Sequence, residues 1–237
     1  MPLIVRSRRA VQFAVKTFYA LCQVVCVAGL GVWLGAVLVA GAIAAAIFPM
    51  MRELAPTLGS YAQYSGEHWR LAGGEVASRV FLIADTTQFI CAVLTAASTG
   101  FLAIAQVRRG RSIHMAARVL MTGLTMAVFC YAFFVVAPRM AVALKAYRSA
   151  AARGDAAEAE IHQAQFAAMH PTASALMIAT AAGVLVTLVL AAWPSRGGPP
   201  SYASAGAESL GTAEPAAPAH GAAPRLQPPA LLRMPKI

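Results

Sequence analysis

The chain is 237 residues long, with 59% of them hydrophobic, only 12% charged and a formal net charge of +10. A soluble domain carries about a quarter of its residues as charges, so this composition excludes an ordinary water-soluble globule. The bases flank apolar runs, which assigns the positive charge to membrane topology and anionic lipid headgroups and argues against nucleic acid as a partner.

Residues 1–17 are a basic segment holding Arg6, Arg8, Arg9 and Lys16 and no acid. The first apolar span covers about residues 18–48, with Trp33 near its middle and Pro49 at its end. A secretory apolar core is about 7–15 residues long. This run is roughly twice that, and it exceeds the about 20 residues that cross a bilayer. It is therefore expected to stay as a helix rather than be cleaved as a signal peptide. Gly29, Gly31, Gly35 and Gly41 leave grooves for close helix contact; Gly31 and Gly35 stand four apart as a small-xxx-small pair, and Trp33 is grouped with them as a packing residue.

Residues 50–79 are a hydrophilic connection broken by Pro56, Gly59 and Ser60. Its Tyr61, Tyr64 and Trp69 suit a membrane interface. Ser65 is the expected N-cap of the returning helix, with His68 where a capping box wants Glu or Gln. Gly73 is a further packing position. The second span covers about residues 80–106. Residues 107–118 form a short connection with Arg108, Arg109, Arg111 and Arg118 and no acid. The third span, about residues 119–137, meets Pro138 and Arg139, and a proline there is expected to kink or end the helix.

Residues 139–171 are polar, with alanine-rich segments on both sides of Gly154 and Asp155. Arg153-Gly154 supplies a helix stop, and Asp155 followed by Glu158 supplies a helix start. A helical hairpin is predicted, each arm about 15 residues and so about 22 Å long. Its second arm runs into the fourth span, about residues 172–193, with a bend at Pro171. Residues 194–237 are rich in Pro, Ala and Gly without an apolar period, and read as a disordered tail.

The predicted fold is all-α: a four-transmembrane-helix bundle over 18–193, with an external helical hairpin between the third and fourth helices. Lys and Arg number four each in the amino-terminal segment, the 107–118 connection and the tail, against three in 50–79 and four in 139–171. The last two stretches also hold Glu53, Glu67, Glu75, Asp155, Glu158 and Glu160. The positive-inside rule then places both termini and the short connection in the cytoplasm, with a bacterial inner membrane as the expected location.

Asp85 sits roughly 9 Å below the outer end of the predicted second span. A carboxylate inside a span must pair, take up a proton or meet water. Gln88 at i+3 can hydrogen-bond it, and Thr86 and Thr87 add hydroxyls. Arg79 lies on another face. Two roles are open: an interhelical clamp, the commoner use of such a residue, and a proton- or cation-responsive site opening on an outer polar vestibule.

The outward connections hold His68, His162, Met169 and His170. Imidazole and thioether suit copper, and a metal site would use His68, Met169 and His170 if folding joined them. His162 and His170 are about 12 Å apart along a helix, too far to share one ion. No standard metal spacing is present, and hydrogen bonding to neighbours is the simpler role. Cys22, Cys26, Cys91 and Cys130 all fall in apolar spans. Cys22 and Cys26 share a helix face, as small packing residues more readily than as a soft-metal or redox pair. There is no nucleotide loop, zinc-peptidase motif or nucleophile elbow. All five histidines lie outside the spans, which disfavours haem held between helices. No enzyme activity and no cofactor are expected.

Four short segments, taken in order, resemble one family. They are Trp33-Leu-Gly35 with Phe48-Pro49, Ala72-Gly73 through Val80-Phe81, Val136-Ala-Pro138-Arg139, and Phe166-Ala-Ala-Met-His170 with Ser174. Their placement is similar to the small four-helix membrane family of unknown function that includes transmembrane protein 205, and more distantly to the CopD copper-resistance membrane domain. The resemblance covers about residues 20–193. It implies a four-span bundle without established catalysis, for which transport of, or resistance to, metals and metal-containing drugs has been suggested. Trp33, Gly35, Pro49, Gly73, Phe81, Pro138, Arg139 and His170 match the family pattern. Asp85 and Gln88 match no family motif.

These readings point to a non-enzymatic membrane protein with a structural or accessory role. A small transporter or copper-type metal-handling protein is the second reading. The expected partner is a bilayer with anionic headgroups, and association with further copies of the chain is compatible with the sequence.

Overall fold

The computed structural model of the protein describes the backbone of residues 2–107 and 113–193, and the side chains of residues 13–106 and 113–193. The predicted tail at 194–237, Arg108, Arg109 and Arg111, and the side chains of Arg6, Arg8 and Arg9 lie outside the described residues.

Regular structure among the described residues is helical throughout. The helices are α1 (Pro2–Leu54), α2 (His68–Val107), α3 (Ile113–Tyr131), α4 (Ala137–Ala152) and α5 (Ala156–Ala192). One π-helical turn, Ala132–Val136, joins α3 to α4, and a 3-10 turn, Gly59–Tyr61, lies between α1 and α2. Four stretches are long and apolar enough to cross a membrane: Phe13–Leu54, His68–Gln106, Ile113–Ala152 and Ala156–Ala192. The shortest has 37 residues, whereas about 20 cover a hydrocarbon core of about 30 Å. Each helix therefore outruns the span read from the sequence.

Pro49 does not end its helix as expected, and Pro138 interrupts the α geometry without ending the helical run. Proline lacks an N–H and crowds the carbonyl four residues back, at a cost of about 3 kcal/mol in a helix interior. At Pro138 the crowding is relieved by the π turn, in which Ala137 N–H donates to Ala132 O, five residues back. Pro49 lies inside α1 and Pro171 inside α5. On both sides of each, the helix is held by packing: Phe48 and Met51 against Gly73 on α2, and Ala159 and Thr180 buried at either side of Pro171. Helix α1 ends instead at Ala55, which takes a left-handed φ of 41° just before Pro56.

Helix α2 starts at His68, so Ser65 is not its cap. Arg70 N–H returns to Glu67 O at 3.2 Å, and the Glu67 carboxylate pairs with the Arg70 guanidinium. Gly73 and Gly74 lie inside this helix, each costing about 1 kcal/mol against Ala. Their smallness is used. A Cβ on Gly73 would stand 3.0 Å from Phe48 Cδ1, and the Gly74 carbonyl accepts from Arg148 Nη2 at 2.9 Å.

Each long helix packs on its neighbours in sequence, and α5 closes against α1. On α1, Cys26, Leu30, Trp33, Val37 and Ala40 are buried at intervals of three and four, one face of a helix. They meet Gln88, Cys91, Ala92, Thr95 and Thr99 of α2, with Phe129 of α3 and Val184 of α5 completing the core. Close approach is made by Gly29, whose added Cβ would be 3.2 Å from Thr95 Oγ1, and by Gly183 against Thr125. Gly31 and Gly35, the expected packing pair, have nothing within 4 Å of an added Cβ. Spacing showed that they share a face, but that face points away from the bundle.

Polar side chains in these apolar helices are largely satisfied locally. Thr122, Thr125, Thr180 and Thr187 each donate to the carbonyl four residues back, at 2.7–2.8 Å. The outside carries large apolar groups, with Leu82 and Ile83 each 69% exposed and Leu120 70% exposed. Water-soluble monomers rarely present contiguous apolar surface of this kind.

A second cluster joins the tip of the α4–α5 hairpin to the α1–α2 connection. Tyr64 and Leu71 pack there against Tyr147, Ala150, Ala151 and Ala159. The hairpin tip follows its predicted chemistry. Gly154 takes φ +74°, Asp155 N–H reaches Ala150 O at 3.1 Å and Gly154 N–H reaches Ala151 O at 3.0 Å. This pair of bonds is a Schellman stop. Asp155 then caps α5 by accepting from Glu158 N–H at 3.0 Å.

Candidate functional site

Helices α1 and α2 are joined at mid-length by a short polar chain. Trp33 is 1% exposed, and its indole Nε1–H donates to Gln88 Oε1 at 3.2 Å. Gln88 Nε2 donates in turn to Asp85 Oδ1 at 3.3 Å. The direction is fixed by chemistry. An indole nitrogen can only donate, so the amide oxygen must face Trp33 and the amide nitrogen must face the carboxylate. The Trp33 ring is braced edge-on by Phe129, with centroids 5.2 Å apart.

The predicted Asp85–Gln88 pairing is therefore present, but its surroundings differ. Asp85 lies about 26 Å along α2 from its start, at 1.5 Å per residue, while it keeps its place five residues inside the apolar run that begins at Val80. The difference arises because α2 extends back through Gly73 and Gly74 to His68. Thr86 and Thr87 do not serve Asp85. Their hydroxyls donate to Leu82 O at 2.8 Å and Ile83 O at 2.9 Å. Arg79 pairs with Glu75 at 3.3 Å. Gln88 makes the one hydrogen bond to the Asp85 side chain given among the described residues, and Asp85 is half-buried.

No family model, curated protein or solved structure matches this chain.

The polar seam continues along the same helices. Cys26 Sγ and Thr99 Oγ1 stand 3.5 Å apart. Thr95 is fully buried with its hydroxyl unpartnered against Gly29. Nearer the other end, Arg118 of α3 is 4% exposed. Its Nη1 donates to Gln23 Oε1 at 2.8 Å, and Gln23 Nε2 donates to Ala191 O at 2.6 Å. Arg118 was read as a loop base because charge marks connections. The signal pointing inward was Thr122 one turn later, together with Gln23 in the middle of an apolar run.

The histidines of the expected metal site have other contacts. His68 Nδ1 accepts from Leu58 N–H at 3.0 Å, and its Nε2 lies 2.9 Å from Tyr64 O. With Nδ1 accepting, Nε2 carries the proton and donates, so both ring nitrogens are used by backbone. His170 is exposed and lies over Phe166, with ring centroids 6.2 Å apart. Met169 lines a groove of about 470 Å³ with Arg139, His162 and Gln165. Among the described residues no three of His, Cys, Asp and Glu form a group able to hold a metal. All four cysteines are free thiols.

The hairpin also reaches the first part of α2. Arg148 of α4 reaches Gly74 O, Ser78 Oγ at 2.8 Å and the Glu75 carboxylate at 3.3 Å on α2. A second open hollow, about 630 Å³, lies between Phe48, Arg52 and Trp69. Neither hollow is lined by Asp85 or Gln88.

Proposed function

We propose that this chain is a non-enzymatic integral membrane protein with a structural or accessory role, in which the polar groups of the spans hold helix to helix. The observation that carries this reading is the Trp33–Gln88–Asp85 chain, which commits an interior indole and an amide to joining α1 and α2. The residues that resemble the four-helix family also support it through packing. Trp33 is core, Gly73 receives Phe48, and Pro138 follows the π turn. The test is Asp85→Asn. An Asn oxygen still accepts from Gln88, so the variant should keep its fold and thermal stability and show no solute phenotype. Loss of proton- or cation-linked uptake by a folded variant in proteoliposomes would overturn the reading.

The second reading, a small proton- or cation-linked carrier, is favoured by one feature: Asp85 receives a single hydrogen bond and no basic partner among the described residues. The metal-handling variant of this reading would require His68 to give up a backbone bond.

The proposed setting is a bacterial inner membrane with both termini cytoplasmic and the hairpin outside. Residues 113–152 form about 60 Å of continuous helix, twice a hydrocarbon core. The α4 half carries Arg139, Lys145 and Arg148, so the apolar α3 half is the part suited to lipid. A periplasmic signal from a reporter fused to the tail would reverse the orientation.

A further inference from the structure

Arg118 is a cation inside the bundle whose charge nothing described neutralises. It is 4% exposed. Only Nη1 is hydrogen-bonded, to Gln23, while Nε and Nη2 are buried without a partner. These two nitrogens are not a random pair. Nε–H and Nη2–H point the same way from the guanidinium plane edge, the fork that matches two oxygens of a phosphate or carboxylate. Gln23 holds the plane in place, being tied on its other side to Ala191 O near the carboxyl end of α5. One turn earlier, His114 Nε2 is also buried and without a partner. Residues four apart share a helix side.

No described acid reaches this fork. Asp85 is level with Trp33, about 15 Å along α1 from Gln23. Glu53, Glu67, Glu75, Asp155, Glu158 and Glu160 belong to the opposite end of the bundle, where the hairpin docks. A buried ion without a counter-ion is strongly unfavourable. In sequence, Arg118 follows a basic run that holds Arg108, Arg109 and Arg111, and basic charge of this kind attracts anions.

We propose that the Arg118 Nε/Nη2 fork, with His114 beside it, is a binding site for a phosphate-type oxyanion. Two sources share this chemistry: the headgroup of an anionic phospholipid, which rests on the membrane reading above, and free phosphate, which does not.

The test uses delipidated full-length protein in neutral detergent. Its Tm is followed with phosphatidylglycerol, with diacylglycerol of the same chains, and with inorganic phosphate against chloride at equal ionic strength. The wild type should gain several degrees with phosphatidylglycerol or phosphate, and nothing with diacylglycerol or chloride. Arg118→Lys keeps the charge but not the fork, and should lose the gain. A response to phosphatidylglycerol alone assigns the lipid source, and a response to inorganic phosphate assigns the free anion. If Arg118→Lys does not fold, native mass spectrometry of the wild type should show one retained phosphatidylglycerol or phosphate, held more weakly in His114→Ala. No gain and no retained adduct would overturn the proposal, as would an equal gain in Arg118→Lys. It would also fail if Glu208→Gln or Glu214→Gln lowered Tm as far as Arg118→Lys, since the counter-ion would then be the chain's own. Failure of the membrane reading would show separately, as protein recovered without detergent.

Discussion

Trp33 and Gln88, 55 residues apart in the chain, meet through a 3.2 Å hydrogen bond in the interior of the bundle. Both are almost without access to solvent, at 1% and 8% exposed. Buried donors and acceptors that lose a partner cost about 1–3 kcal/mol, more than the pair contributes when intact. The bond therefore acts mainly as a specification. Any arrangement of α1 against α2 that separates these two residues leaves an indole N–H and an amide stranded in an apolar core.

Glycine positions give a sharp contrast on a single helix. Gly29→Val would drive side-chain atoms into Thr95 and the α2 backbone and should destabilise by about 1–3 kcal/mol. Gly31→Val adds atoms to open space and should stay within about 0.5 kcal/mol. Thermal unfolding in detergent distinguishes the two. Equal losses at both positions would mean that the Gly31 face is also covered.

Beside the packing of Leu71, one side chain supplies polar ties from the hairpin to α2. Arg148 donates to Gly74 O and Ser78 Oγ and pairs with Glu75. Arg148→Ala should cost about 1.5–3 kcal/mol, the range for hydrogen bonds to a charged group. The loss should be local. Hydrogen exchange should rise in residues 139–160 and in the 55–67 connection, while the α1–α2 interface stays protected. Uniform exchange across all helices would show that the hairpin is not a separate unit.

At the hairpin tip, Gly154→Ala meets two obstacles. Its φ of +74° disfavours any side chain, and the new Cβ would stand 3.0 Å from Gln63 Cβ. A loss of about 1–2 kcal/mol is expected from the conformation alone. Asp155→Ala should remove about 1 kcal/mol by uncapping α5. Both should appear as a lowered Tm with unchanged helical circular dichroism at room temperature.

How much of this was legible depended on whether the partners were local. Gly154 and Asp155 were readable because a stop and a cap are written within a few residues. The Asp85–Gln88 pair was readable because three residues along a helix is a neighbour. The Trp33–Gln88 bond was not, since nothing in either apolar run names the other. Of the four glycines expected at close contacts on α1, Gly29 and Gly41 meet neighbouring helices within the chain and Gly31 and Gly35 do not, because smallness shows that a close approach can occur, not which face makes it. Pro49 was read as the end of the first span because local cost was visible while the packing that outweighs it was not; at Pro138 the expected disturbance is the π turn just before it. Arg118 was assigned to a loop by its charge, whereas its place is set by Gln23, 95 residues away.

The most direct measurement is a double-mutant cycle on Trp33→Phe and Gln88→Leu, with unfolding of each variant followed in detergent. If the polar chain clamps α1 to α2, the two losses will be non-additive, with a coupling of about 1 kcal/mol, in the range found for hydrogen bonds between membrane helices. Additive losses, with the double variant as unstable as the two singles combined, would contradict the clamp and leave Asp85 and Gln88 to be explained by transport.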